Sequence, residues 1–157
     1  MAYREIIKVD DPILRKKAKK VCVFDENMGL ILDDMAESLF KFNGAGLAGP
    51  QVGILKRIAV VYINSMFFEL INPEIIDKKG EWECEEGCLS IPKIRGVVKR
   101  PYTVTVKAFD RKGYEYTLTA EDMLARCICH ELDHLDGILF IDKMEKEVKS
   151  KSKAKKR

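Results

Sequence analysis

Residues 44–53, which read Gly-Ala-Gly-Leu-Ala-Gly-Pro-Gln-Val-Gly, cannot form a helix. Each interior glycine costs a helix about 1 kcal/mol and a proline about 3. The segment therefore has to be a loop or an irregular extended strand, and it divides the chain into two differently patterned parts. Upstream, Asp11-Pro12 opens a short basic helix to about Lys19, with proline at the favoured first position. Asp25 caps a longer helix to about Phe42, whose Met28, Ile31, Leu32, Met35, Leu39 and Phe42 recur at helical spacing. Downstream, Ile58 to Ile63 reads as a buried strand, Phe67 to Ile71 as another and Trp82 to Glu86 as a weaker one. Tyr102 to Phe109 alternates strongly, and Arg111-Lys112-Gly113 turns it into Tyr114 to Leu118. Thr119 with Asp122 resembles a capping box, opening a helix to about Leu135 that Gly137 ends. Strands in the middle and helices at both ends predict an α+β fold rather than an alternating α/β one. In it, antiparallel sheets pack around the C-terminal helix, with further helices at the N-terminus.

A length of 157 residues predicts one core, and no repeat or linker-like break interrupts it. No apolar run reaches the ~18 residues that a bilayer span needs. The first eleven residues mix charges and hold no apolar h-region. A cytoplasmic address, no membrane partner and a monomeric state are the expectations. Residues 143–157 carry eight Lys and Arg against two acids, so the net charge of +3 resolves into a +6 tail and a −3 body. The body suggests no polyanion partner, whereas the tail could touch nucleic acid or a ribosome surface. The competing reading of the tail is a solvated, frayed terminus. Five cysteines, an odd number without a secretion signal, predict reduced thiols.

The last predicted helix contains Cys129-His130-Glu131-Leu132-Asp133-His134. Histidines four apart lie one turn apart on one helix face and can reach one metal. Glu131 sits roughly 100° around the helix, where it can approach a metal-bound water without ligating, as the general base of a metal-dependent hydrolase. These are the only two histidines, and chance gives this spacing with a following Glu roughly once in 900. A catalytic metal wants a third protein ligand and an open position. No third histidine exists, so the ligand must be Cys, Asp or Glu. Asp136, Asp142, Glu145 and Glu147 lie too close to the motif or out towards the basic tail. Upstream, Cys88 follows Gly87 in a turn between strands and can project into a site. Cys84 alternates with Trp82 and Glu86, which reads as packing against a neighbour. A buried cysteine is more often a small hydrophobe than a ligand, so spacing favours Cys88 only modestly.

Three segments, in order, resemble the peptide deformylases. Gly44 to Gln51 resembles the family's first motif, Glu86-Gly87-Cys88-Leu89-Ser90 its second, and His130-Glu131-Leu132-Asp133-His134 its third, and the likeness runs to about Met144. The resemblance implies a metal-dependent deformylase domain at residues 1–145, with 146–157 a basic, disordered tail that could contact the ribosome. It implies removal of the formyl group from the N-terminal formylmethionine of new polypeptides, by metal-bound hydroxide, with release of formate. Cys88, His130 and His134 would then ligate one divalent ion, Fe2+ physiologically, with Zn2+, Ni2+ or Co2+ as substitutes. Glu131 would take the proton and deliver it to the leaving amine. The Gln51 side-chain amide and the Leu89 backbone N–H would hold the oxyanion. Backbone groups of Ala45, Gly46 and Gly87 would pair with the peptide as an added strand. Met123 and Cys127 share the histidine face and would line a slot for the methionine side chain, with plain core packing as the alternative.

The chain departs from the family pattern at a few positions. Gly49 stands where Ala is usual, which adds backbone freedom beside Gln51. Cys129 stands where Gln is usual, and the helical angle points it away from His130. Arg126, about 40° from His130 on the helix, is placed at the pocket rim, and Asp133 is paired with a base, for which Arg100 is the candidate. A zinc metallopeptidase would need a third His or a suitable Glu downstream, and neither is present. A purely structural metal would be closed by a fourth ligand, Cys84 or Cys129.

Overall fold

A computed structural model describes residues 2–148. The architecture is α+β, built on two antiparallel sheets. Strands β1 (Gly46–Ala48), β2 (Ile58–Ile63), β3 (Met66–Lys79), β6 (Thr103–Phe109) and β7 (Glu115–Glu121) form one sheet in the order β1-β2-β3-β6-β7. Strands β4 (Trp82–Cys88), β5 (Ile91–Arg100) and β8 (Met144–Glu147) form the other, in the order β4-β5-β8. Helices α1 (Glu26–Lys41), α2 (Asp122–Leu135) and α3 (Phe140–Lys143) complete the fold. None of the described helices is long and apolar enough to cross a membrane.

The Asp25 carboxylate accepts from Met28 N–H at 3.0 Å and caps α1. Met28, Ile31, Leu32, Met35 and Leu39 then bury one helix face against Leu47, Ile58, Val60 and Ile71. In α2 the burial goes almost all round, from Leu124 through Leu132 and again at His134 and Leu135. Ala125, Ile128, Leu132 and Leu135 pack on Val61, Leu70 and Val106 of the large sheet. Arg126 and His130 reach Glu86 on β4 of the small sheet. A helix buried on every side must find partners for its polar side chains, and that requirement shapes the site.

The structure differs from the sequence reading at several elements. The first basic helix is a single 3-10 turn, Pro12–Arg15, because the chain beyond it pairs elsewhere: Ala18 N–H donates to Leu135 O and Lys19 N–H to Leu55 O. Thr119 lies within β7, where its hydroxyl meets Thr105 across the strands at 3.1 Å, so it caps nothing; Glu121 occupies the N-cap of α2 without a side-chain bond. Strand β3 runs eight residues past Ile71, and a register shift around Asn72, at φ 51°, lets it do so. Strand β5 was not anticipated, since Pro92 and Gly96 break the strand pattern. Gly96 has no side chain where Met144 of β8 packs. Strand β8 carries ordered pairing to Glu147, so residues 146 and 147 extend the domain boundary expected at 145. The rest of the basic tail, 149–157, lies outside the described residues.

Candidate active site

Three separate elements deliver the polar groups. Strand β4 ends at Cys88, α2 carries His130, Glu131 and His134, and the 3-10 turn Gly49–Val52 carries Gln51. The metal-ligating atoms of Cys88, His130 and His134 lie within 4.8 Å of one another, with Cys88 Sγ 3.4 Å from His134 Nε2. Among the described residues these three form the group that could hold a metal, and neither Cys84 nor Cys129 joins it. Cys129 lines a second cavity with Leu132 and Asp133. A thiolate and two imidazoles suit a borderline-soft divalent cation.

Among the three, His130 is oriented from behind by a carboxylate. His130 Nδ1 lies 3.0 Å from Glu86 Oε1, which fixes that nitrogen as the N–H donor and leaves Nε2 for a metal. Glu86 is the residue that sequence reasoning missed. Its buried carboxylate also accepts from Arg100 Nε at 2.8 Å, Arg100 Nη2 at 2.9 Å and Arg126 Nη1 at 2.5 Å. Burial opposes charge on Glu86, but the bonds from Arg100 and His130 outweigh it and hold the carboxyl well below its usual range. Arg100 Nη1 reaches Asp133 at 2.6 Å, the pairing anticipated for that acid. Arg126 is not at a rim: it is 2% exposed and bound to main-chain oxygens of Trp82 and Val98. The signal for this network was an acid two residues before Cys88, but two buried arginines cannot be told from solvated ones by pattern. Burial pushes His134 well below its ordinary pKa.

Glu131 is 3% exposed, and its Oε1 has no partner among the described residues. Burial pushes its carboxyl up to about 7 against the pull of His130. A Cβ on Gly46 would stand 2.5 Å from Glu131 Oε2, so glycine is what lets β1 lie against the carboxylate. Gln51 is 1% exposed; its Oε1 accepts from Ala48 N–H at 2.9 Å, and its Nε2 donates to Ser90 Oγ at 3.1 Å and lies 3.5 Å from Cys88 Sγ. A cavity of about 450 Å³ opens over these groups. Ala45, Gly46, Gly87, Met123 and Cys127 all line it, as do Gln51, Cys88, Leu89, His130 and Glu131. His134 lies behind the cavity, 1% exposed.

Gly49 does not supply freedom, contrary to the sequence expectation. A Cβ there would stand 2.6 Å from Ile54 O and 2.9 Å from Lys56 O, both main chain. Gly49→Ala is expected to destabilise the fold by about 1–3 kcal/mol, read as a lower urea midpoint at unchanged slope. Burial also raises the Cys129 thiol to about 11 and the Cys127 thiol well above its ordinary value. Raised values keep both thiols protonated at pH 8, and thiolate is the reactive form. Brief iodoacetamide treatment at pH 8 is therefore expected to label exposed Cys22 and spare Cys127 and Cys129. Equal labelling, read by peptide mass spectrometry, would contradict the burial.

The family model described as polypeptide deformylase matches residues 3–150. A peptide deformylase of Acetivibrio thermocellus is 53% identical over 144 residues, covering 92% of this chain and 85% of that protein. Peptide deformylase 2 of Clostridium acetobutylicum is 50% identical over 150 residues, covering 95% of this chain and 100% of that protein. Among solved structures, a peptide deformylase from Legionella pneumophila superposes with TM-score 0.89 at 42% identity, covering 92% of this chain and 87% of that one. One from Synechococcus elongatus, in complex with actinonin, superposes with TM-score 0.87 at 39% identity, covering 90% and 78%. With the fold, the ordered motifs and these relatives in agreement, the chain belongs to the polypeptide deformylase family, the enzymes that remove the formyl group from the N-terminal formylmethionine of nascent polypeptides.

Proposed function

We propose that Cys88, His130 and His134 hold the single metal ion of this enzyme, and that Glu131, Gln51 and the Leu89 N–H act on the formyl group. One observation carries the reading: three ligand atoms within 4.8 Å of one another, beside a buried carboxylate whose Oε1 has no partner among the described residues. Ferrous iron is the physiological ion, and Zn2+, Ni2+ or Co2+ can replace it. When bound, the cation supplies Lewis acidity to the attacking water and to the formyl carbonyl. Glu131 takes the proton of that water and passes it to the amine nitrogen as the C–N bond breaks, releasing formate and a free N-terminus. Gln51 Nε2 and the Leu89 N–H donate to the formyl oxygen as it gains charge. The peptide backbone pairs with Ala45, with Gly46 on the edge strand β1, and with Gly87 on β4. The methionine side chain enters the slot beside Met123 and Cys127. That the Synechococcus elongatus relative binds actinonin supports a ligand-accepting cleft.

The enzyme acts as a cytoplasmic monomer, and its basic C-terminal segment faces the ribosome. Deleting residues 149–157 is expected to weaken ribosome co-sedimentation and leave turnover of a short formyl-peptide unchanged. The ligand assignment is tested by anaerobic metal titration. One Co2+ or Fe2+ per chain is expected in the parent protein and none retained in Cys88→Ala. Full occupancy and turnover in that variant would contradict the assignment.

A further inference from the structure

We propose that Arg126 is a positioning residue for the metal centre, bracing the Glu86 carboxylate that orients His130. The inference rests on the assignment of His130 as a ligand. Arg126 stands one turn before His130 on α2, and its guanidinium is held at three points of the small sheet. Nη1 donates to Glu86 Oε2 at 2.5 Å and to Val98 O at 3.0 Å, and Nη2 donates to Trp82 O at 3.0 Å. The group also lies over the Trp82 ring, 4.8 Å from its centroid.

Burying a guanidinium is strongly unfavourable unless it is paired and hydrogen-bonded. Arg126 also lines the cavity that takes the substrate side chain, where an apolar residue would wall the slot without that cost. The charge therefore has a use, and Glu86 is where it is spent. Arg100 grips both oxygens of that carboxylate through Nε and Nη2 while its Nη1 is held by Asp133 at 2.6 Å, and Arg126 adds a second guanidinium on Oε2. With Arg126 in place, Oε2 has two donors, and Oε1 is kept on Arg100 Nη2 and His130 Nδ1. Without it, Oε2 keeps one donor, and a carboxylate held by one guanidinium instead of two orients the imidazole less firmly towards a metal. Acceptors behind metal-ligating histidines typically change metal affinity or activity 10–100-fold when disturbed.

Arg126→Met keeps the slot walled and removes the brace; Arg126→Gln removes the charge and ends two bonds short of the guanidinium nitrogens that reach Glu86; Arg126→Lys keeps the charge. Cobalt-loaded proteins are compared for Co2+ release into excess EDTA, for their visible absorption bands, and for kcat and KM on formyl-Met-Ala-Ser. The Met variant is expected to release Co2+ about 10–100-fold faster, with shifted bands and a kcat lowered by a similar factor at nearly unchanged KM. The Lys variant is expected to recover much of the slow release. Parent-like release and bands in Arg126→Met, with only KM raised, would overturn the proposal and leave Arg126 as a slot wall. If the Met variant does not fold, Arg126→Gln decides: faster release supports the brace, and parent-like release and bands overturn it. Failure of the underlying reading looks different, since the parent chain would then hold no Co2+ or Cys88→Ala would keep it.

Discussion

Glu131→Gln is expected to lower kcat for formyl-peptide hydrolysis by about 10²–10⁴-fold while one metal ion per chain is retained. The substitution preserves shape and removes the group that can take a proton. Two buried acids flank the histidines, and their surroundings assign them different work. Glu86 accepts four charge-assisted bonds and is held far below the usual carboxylate range, so it cannot serve as a base near neutral pH. Glu131 Oε1 has no partner among the described residues, and burial raises the carboxyl to about 7, within reach of proton exchange. The same shift has a sign for stability. A buried Glu with a raised pKa stays protonated in the fold while the unfolded chain ionises, so metal-free stability falls as pH rises from about 4.5 to about 7. Metal-free Glu131→Gln is expected to unfold at higher urea than the parent at pH 8, with the gap closing below about pH 4.5. A gap that widens in acid would contradict that burial.

Gln51→Leu is expected to lower kcat by about 10²–10³-fold, with a much smaller change in KM. The amide is fixed before substrate arrives: Ala48 N–H holds Oε1, which sets Nε2 as the donor beside Cys88 and Ser90. A preset donor needs no reorganisation as charge grows on the formyl oxygen, which is why its loss falls on the chemical step. Ser90→Ala removes one partner of that donor and is the control, expected to cost far less. Equal losses in both variants would move the effect from the Gln51 donor to packing behind it.

The residues proposed to touch substrate or metal were legible because their chemistry is local. His130 and His134 need only a helix period, and Gln51, Cys88 and Leu89 stand in contiguous motifs. The long amphipathic α1 and the β6–β7 hairpin were legible for the same reason. What escaped depends on distant partners. The chain after Arg15 is pulled straight by Leu135 and Leu55, and Thr119 is claimed by Thr105 on the neighbouring strand. Strand β5 pairs with strands on both sides despite Pro92 and Gly96, since Gly96 gives Met144 room. Arg126 illustrates the limit best. Its place on the helix wheel was readable, but its burial comes from Glu86, Trp82 and Val98, residues 28 to 44 positions away.

The most direct measurement is formate release from formyl-Met-Ala-Ser by protein purified anaerobically, loaded in turn with iron, nickel, cobalt and zinc, with Glu131→Gln alongside. Metal-dependent release by the parent chain is expected, abolished by chelation and lost in Glu131→Gln. No release from folded, metal-loaded parent protein with any of the four ions, or undiminished release by Glu131→Gln, would contradict it.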